Sequence, residues 1–153
     1  MNAEPSLPRL PHIVPARHGI PIKWRSEMLV KAASSDTEAR FTVIETRNLP
    51  ASGPPLHVHH NEDEAFLVLD GEYTFFFGDQ EVEAGPGDFV LLPRGLPHRY
   101  RVGDAGGRVL MIFAPAGIEQ YFEELAAVLG DEKAENAVAA KFGIELLAPY
   151  GSG

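Results

Sequence analysis

Between residues 28 and 114 the chain runs as short segments rich in Val, Ile, Phe, Tyr and Leu, broken by clusters of Gly, Pro, Asp and Asn. That pattern predicts antiparallel strands. The segments fall at 28–32, 41–46, 65–69, 73–77, 80–83, 89–92, 98–102 and 108–113, with turns at Gly71, Gly78-Asp79, Gly85-Pro86-Gly87, Pro93-Arg94-Gly95 and Gly103-Asp104. Many short strands without intervening helices point to a sandwich, a jelly roll or a barrel. After Pro115 the period lengthens. Ile118, Tyr121, Phe122, Leu125, Val128 and Leu129 recur three and four apart and share a helical face that Gly130 ends. Asp131 can cap a second short helix with Ala134, Ala137, Val138 and Phe142 on its apolar side, stopped by Gly143. The three acids between Glu119 and Glu124 read as a solvated helix face.

Ahead of the strands, Pro5, Pro8, Pro11, Pro15 and Pro21 exclude a helix and predict an extended arm. The expected organisation is therefore an arm over 1–25, a β-barrel over 26–115, a helical cover over 116–145 belonging to the same domain, and a tail over 146–153. A chain of 153 residues buries enough surface for a self-sufficient core, and the absence of Cys removes disulfides, zinc-thiolate clusters and thiol nucleophiles. The net charge of -9 argues against a nucleic-acid partner. No apolar run approaches the ~20 residues that span a bilayer, so no membrane partner is expected. With no apolar run of the secretory kind near residue 1 either, a cytoplasmic location is expected. The arm, and an outer sheet in need of cover, suggest a homodimer with exchanged arms or strands.

The chemistry concentrates between positions 57 and 98, where four of the six histidines lie. In the run His57-Val58-His59-His60-Asn61-Glu62-Asp63-Glu64, strand alternation puts His57 and His59 on one face and His60 on the other, facing solvent or supporting a ligand from behind. Glu64 has the wrong parity to join His57 and His59 on a straight strand, so the chain must bend within 60–63. Beyond the bend Glu64 heads a face continued by Phe66 and Val68. A lone carboxylate facing a core must be protonated, paired or bound to a cation. The Pro- and Gly-rich turn at 93–97 can aim His98 as a third imidazole, giving His57, His59, Glu64 and His98 as a candidate metal set. Such nitrogen and oxygen donors suit one divalent transition ion, Fe, Ni, Mn, Co, Cu or Zn, without choosing among them. Glu62 and Asp63 read as a solvated turn, with Glu62 the fallback ligand should the bend be shorter. Parity with His98 makes Tyr100 a candidate pocket residue, with Phe66 and Phe75 beside it.

Two strings, His57-x-His59-x4-Glu64-x6-Gly71 and Gly87-x5-Pro93-x-Gly95-x2-His98, resemble both signature motifs of the cupin superfamily, in order. More narrowly, Gly53-Pro54-Pro55-Leu56-His57, the run Asp63 to Gly71, Gly87-Asp88-Phe89 and Pro93 to His98 are similar to the bacterial single-domain quercetinase-like group. The resemblance spans about 40–126. Ala51 stands where the first motif commonly opens on glycine, and Val102 where the second often closes on asparagine. The resemblance implies a double-stranded β-helix (jelly roll) with the ion in the barrel mouth. It further implies a dioxygenase acting with dioxygen on a small hydroxylated aromatic or flavonol-like substrate, with Glu64 as catalytic base. The same site supports isomerase, lyase or decarboxylase chemistry, and also a non-catalytic metal and small-ligand binding module.

Overall fold

The computed structural model describes residues 11–148, and everything below concerns those residues. They form nine strands and two helices: β1 (Ile20–Trp24), β2 (Ser26–Ala32), β3 (Thr42–Asn48), β4 (His57–His59), β5 (Asp63–Phe77), β6 (Gln80–Ala84), β7 (Phe89–Leu92), β8 (His98–Ala114), α1 (Ile118–Ala127), α2 (Glu132–Lys141) and β9 (Ile144–Leu146). All pairings are antiparallel. The sheet runs β1-β2-β3-β8-β4-β9, and β5 pairs with β8, β6 and β7. This is the double-stranded β-helix expected of the sequence.

Two strands carry the architecture. The segments predicted at 65–69 and 73–77 are one continuous strand, β5, and those at 98–102 and 108–113 are one strand, β8. Their shared ladder shifts register near Val68–Asp70 and again near Gly71–Tyr73. Such bulges bend a strand, so one pair serves both layers of the barrel. At the bend Gly71 takes φ 80°, and a Cβ there would collide with the backbone of Gly106 and Gly107. Ala51, where a glycine would be common, also sits in the left-handed region at φ 53°, at a cost of about 1–2 kcal/mol for a residue with a side chain.

Three strands lie outside the predicted set. β1 falls within the stretch read as an extended arm; Pro21 sits on an edge strand bonded to β2 alone, where a missing N–H is tolerated. Residues 12–18 run beside β2, with Lys31 Nζ donating to the carbonyl of His18 at 2.6 Å and His12 Nε2 at 3.2 Å from the carbonyl of Lys31. The remainder of the arm, 1–10, and the tail beyond 148 lie outside the described residues. β4 and β9, three residues each, are too short to show a period; they pair with each other, His57 with Leu146, Val58 with Glu145 and His59 with Ile144, and β4 also pairs with β8.

The inner faces of the barrel meet in a core whose fully buried members include Phe66, Tyr73, Phe75, Val102, Val109 and Phe113. α1 lays Ile118, Tyr121, Phe122 and Leu125 over one end of it, with the Phe122 ring centroid 6.0 Å from that of Trp24. The expectation of a solvated acidic face on α1 is corrected at Glu119, which is 6% exposed. Its carboxylate accepts from the Thr42 hydroxyl at 2.6 Å and from the Ser34 N–H at 2.7 Å, tying the first turn of the helix to the sheet. Burial alone would raise its pKa, but these hydrogen bonds prevail and hold it below the usual carboxylate range. α2 is capped as expected, the Asp131 carboxylate accepting from the Ala134 N–H at 3.1 Å. Its buried Glu135 accepts from Arg25 Nη2 at 3.2 Å, anchoring the β1–β2 hairpin.

Candidate metal centre

The ladder pairs His57 with His98, bringing β4 and β8 side by side. Alternation along β4 returns the chain to the same face at His59, and the residues between β4 and β5 supply the bend that lets Glu64 rejoin it. The four groups come together. One ligand-type atom from each of His57, His59, Glu64 and His98 lies within 4.8 Å of every other, and all four residues are buried. His98 Nε2 stands 3.1 Å and His59 Nε2 3.4 Å from Glu64 Oε2. The ring centroids of His57 and His98 are 4.5 Å apart.

The Nδ1 atoms decide what those rings can do. His57 Nδ1 donates to the Pro55 carbonyl at 2.7 Å, His98 Nδ1 to the Leu96 carbonyl at 2.9 Å, and His59 Nδ1 to Glu62 Oε1 at 2.9 Å. With the proton fixed on Nδ1, each neutral imidazole presents its Nε2 lone pair to the centre. Burial, together with the neighbouring His59 and His98, drives the His57 pKa down to about 3, so that ring is neutral at physiological pH. At His98 burial would lower the pKa, but the hydrogen bond to Glu64 outweighs it and raises it. Glu64 shows the mirror image: burial would raise it, and the surrounding imidazoles hold it low. The pocket is thus built around one positive charge opposite Glu64, a role that a proton on His98 and a divalent ion can each fill. Three preset nitrogens and one carboxylate oxygen fit a transition ion on donor chemistry alone. Ion uptake requires the His98 proton to leave, so affinity falls as pH drops.

Glu62 corrects the sequence reading. It is 7% exposed and holds His59, whereas Asp63 lies nearer the surface and pairs with Arg94. The signal was the three-residue spacing from His59 to Glu62 around a bend, which strand parity does not describe. Partners of this kind orient a ligand imidazole and raise its basicity, and losing one costs about 10- to 100-fold in ion affinity. Glu62→Ala is accordingly expected to weaken divalent-ion binding by about that factor, read by calorimetric titration, with Glu62→Gln intermediate. His60 has the opposite orientation, exposed and 3.0 Å from Glu145.

Above the four residues opens a cavity with about 100 Å³ of space for the centres of water molecules. Its walls include Trp24, Met28, Tyr100, Met111, Tyr121 and Phe122, and His57, His59 and Glu64 form part of its lining. Of the pocket candidates, Tyr100 is therefore placed on the cavity. Phe66 and Phe75 are fully buried and do not line this cavity; their ring centroids lie 5.6 and 5.8 Å from that of Tyr100, behind that ring. Parity gave their face but not their depth along a bent strand. Trp24, Tyr121 and Phe122 were missed because they reach the mouth from β1 and α1, beyond the motif-bearing strands.

Residues 48–113, which hold all four converging groups, match the cupin domain family. That stretch is similar to a cupin domain. Quercetin 2,3-dioxygenase of Bacillus subtilis (strain 168) is 27% identical over 96 residues, which is 63% of this chain but only 28% of the length of that enzyme. Among solved cupin structures, an RmlC-like cupin from Shewanella frigidimarina superposes with a TM-score of 0.60 at 13% identity, over 72% of this chain and 96% of that one. A predicted oxalate decarboxylase from Thermotoga maritima gives a TM-score of 0.60 at 19% identity, over 68% and 99%. These two likenesses establish the cupin fold. No helix among the described residues is long and apolar enough to cross a membrane.

Proposed function

We propose that this cupin is a metal-dependent dioxygenase of a small hydroxylated aromatic, flavonol-like compound. The observation that carries the reading is the buried set His57, His59, Glu64 and His98 opening onto a cavity walled mainly by apolar and aromatic side chains. The similarity to a quercetin 2,3-dioxygenase supports it over the fold's other chemistries. His57, His59 and His98 would hold the ion through Nε2 with Glu64 as the oxygen donor. When bound, the ion supplies Lewis acidity, lowering the pKa of a substrate hydroxyl.

The protein's own part is positioning and proton transfer. Met28, Met111 and Phe122 offer apolar and aromatic surface for a planar ring and keep bulk water from the reacting edge. Glu64 is held anionic by the imidazoles around it, which makes it the proton acceptor for a substrate hydroxyl presented at the floor of the cavity. Tyr100 keeps its proton, because burial and then the nearby Tyr73 and Glu64 push its pKa up. It can therefore donate a hydrogen bond to a substrate oxygen but does not serve as a base.

The test is anaerobic titration of protein loaded with Fe(II), Ni(II), Mn(II) or Co(II) with a flavonol, followed by admission of air. Loss of the flavonol absorption with stoichiometric oxygen uptake is expected for at least one ion. Substrate loss without oxygen uptake would move the assignment to isomerase, lyase or decarboxylase chemistry. No change with any ion would overturn the enzymatic reading of this substrate class.

A further inference from the structure

We infer that Asn48 is a specificity-determining residue of the cavity, selecting ring compounds that carry a second hydroxyl besides the one presented to Glu64. The inference rests on the flavonol-like reading of this site and adds the residue that reads the rest of the ring. Asn48 closes β3 and lines the cavity, with only 7% of its surface exposed. It is a polar side chain set among the apolar and aromatic surfaces of Trp24, Met28, Met111 and Phe122.

The orientation of the amide is fixed from behind. Asn48 Nδ2 donates to the Tyr73 hydroxyl oxygen at 2.8 Å, and Tyr73, on β5, is 1% exposed. The ladder sets Gly107 opposite Asn48, and a Cβ at Gly107 would stand 2.8 Å from that hydroxyl, so the missing side chain gives the Tyr73 ring the room to reach the amide. A primary amide carries two N–H donors and a carbonyl acceptor, and Tyr73 engages one donor. The second N–H and the carbonyl oxygen have no partner among the described residues. Buried polar groups are paired in nearly every case, and the cavity is where a ligand can supply what the protein does not.

Other polar side chains of the lining differ in this respect. Ser26 Oγ donates to the Trp24 carbonyl at 3.4 Å, Ser52 Oγ to the Leu49 carbonyl at 2.6 Å, and Arg25 Nη2 to Glu135 at 3.2 Å, so each is engaged by the protein itself. An N–H next to a carbonyl oxygen matches a hydroxyl, which accepts and donates at once. A bare ring edge offers neither and leaves the amide buried and unsatisfied. Sites built in this way reject the analogue through the penalty on their own unpaired groups, which exceeds the attraction lost.

The chain's single tryptophan, Trp24, lines the same cavity, so its fluorescence reports occupancy without turnover. Under anaerobic conditions the full chain with one equivalent of Zn(II) is titrated with quercetin and with 3-hydroxyflavone, which lacks the further hydroxyls of quercetin. Quercetin is expected to bind about 10- to 100-fold more tightly. Asn48→Leu should cut that ratio about 10-fold or more while 3-hydroxyflavone binds as before. Because Asn48→Leu strands the Tyr73 hydroxyl, the double substitution Asn48→Leu with Tyr73→Phe removes both partners and should give the same ratio in a stably folded protein. A merely structural role would weaken both compounds alike. Equal binding of the two by the wild type, or an undiminished preference in both variants, overturns the inference alone. A wild type that binds neither compound overturns the flavonol-like reading and the inference together, whereas the expected ratios without oxygen uptake on admission of air would overturn the dioxygenase reading and leave the role of Asn48 standing.

Discussion

Replacing His98 by alanine is expected to abolish stoichiometric uptake of a divalent transition ion while leaving the barrel folded. The side chain sits at the start of β8, paired through the ladder with His57, and its Nε2 faces Glu64 at 3.1 Å. Removing it deletes one of three nitrogen donors. It also takes from Glu64 the hydrogen bond of His98, one of the interactions that hold its carboxyl below the usual range. A buried carboxylate that loses such a partner is more readily protonated, and a protonated carboxyl is a poor ligand, so one substitution removes one donor and weakens another. The expected loss of affinity is about 1,000-fold or more, on the order of 4 kcal/mol. Elemental analysis and calorimetric titration read the loss, and far-ultraviolet circular dichroism reports the fold. Full ion content in His98→Ala would remove this residue from the candidate set.

The second large effect is expected at Phe113, which has no direct place at the centre. It is fully buried on β8, its ring centroid 5.9 Å from that of His59 and 6.3 Å from that of Phe122. Phe113→Ala removes a large ring from a close-packed interior and leaves a cavity, costing about 3–5 kcal/mol of folding stability. A chain of this size should show that as a drop in melting temperature of roughly 10 °C or more. Because the ring packs between the ion-facing imidazole and the aromatic wall of α1, ion affinity should fall with it. Phe113→Leu, which refills most of the volume, should recover most of both. A variant that melts near the wild-type temperature would show that the mouth of the barrel is not cooperatively packed.

Most of the fold was legible along the chain because its strands alternate and its turns carry Gly and Pro where the backbone requires them. The candidate centre was legible for a different reason. His57, His59 and Glu64 are local in sequence, and one rigid turn aims His98, so few long-range assumptions separated the residues from the geometry. What escaped the reading depended on contacts between distant segments. Pro21 concealed β1 because edge position is a tertiary property. β4 and β9 are each too short to declare themselves, and the partners that make them strands lie far away in the chain. Glu62 passed for a solvated acid because a bend, and not a period, turns it under His59. Phe66 and Phe75 share a face with the cavity yet lie too deep to line it, since parity assigns a side but no distance along a curved ladder.

The pairing of β9 with β4 ties the end of the described chain to the segment bearing His57 and His59. Through Gly143, whose carbonyl accepts from the His60 N–H at 2.9 Å, the connection continues into α2 and from there to Arg25 at the cavity mouth. Occupation of the centre and order in the C-terminal segment are therefore reciprocal: whatever steadies the two histidines also favours the docked strand, and whatever frays that strand draws on the same free energy. The second helix, remote from every donor atom, is in this sense a silent shareholder in the chemistry.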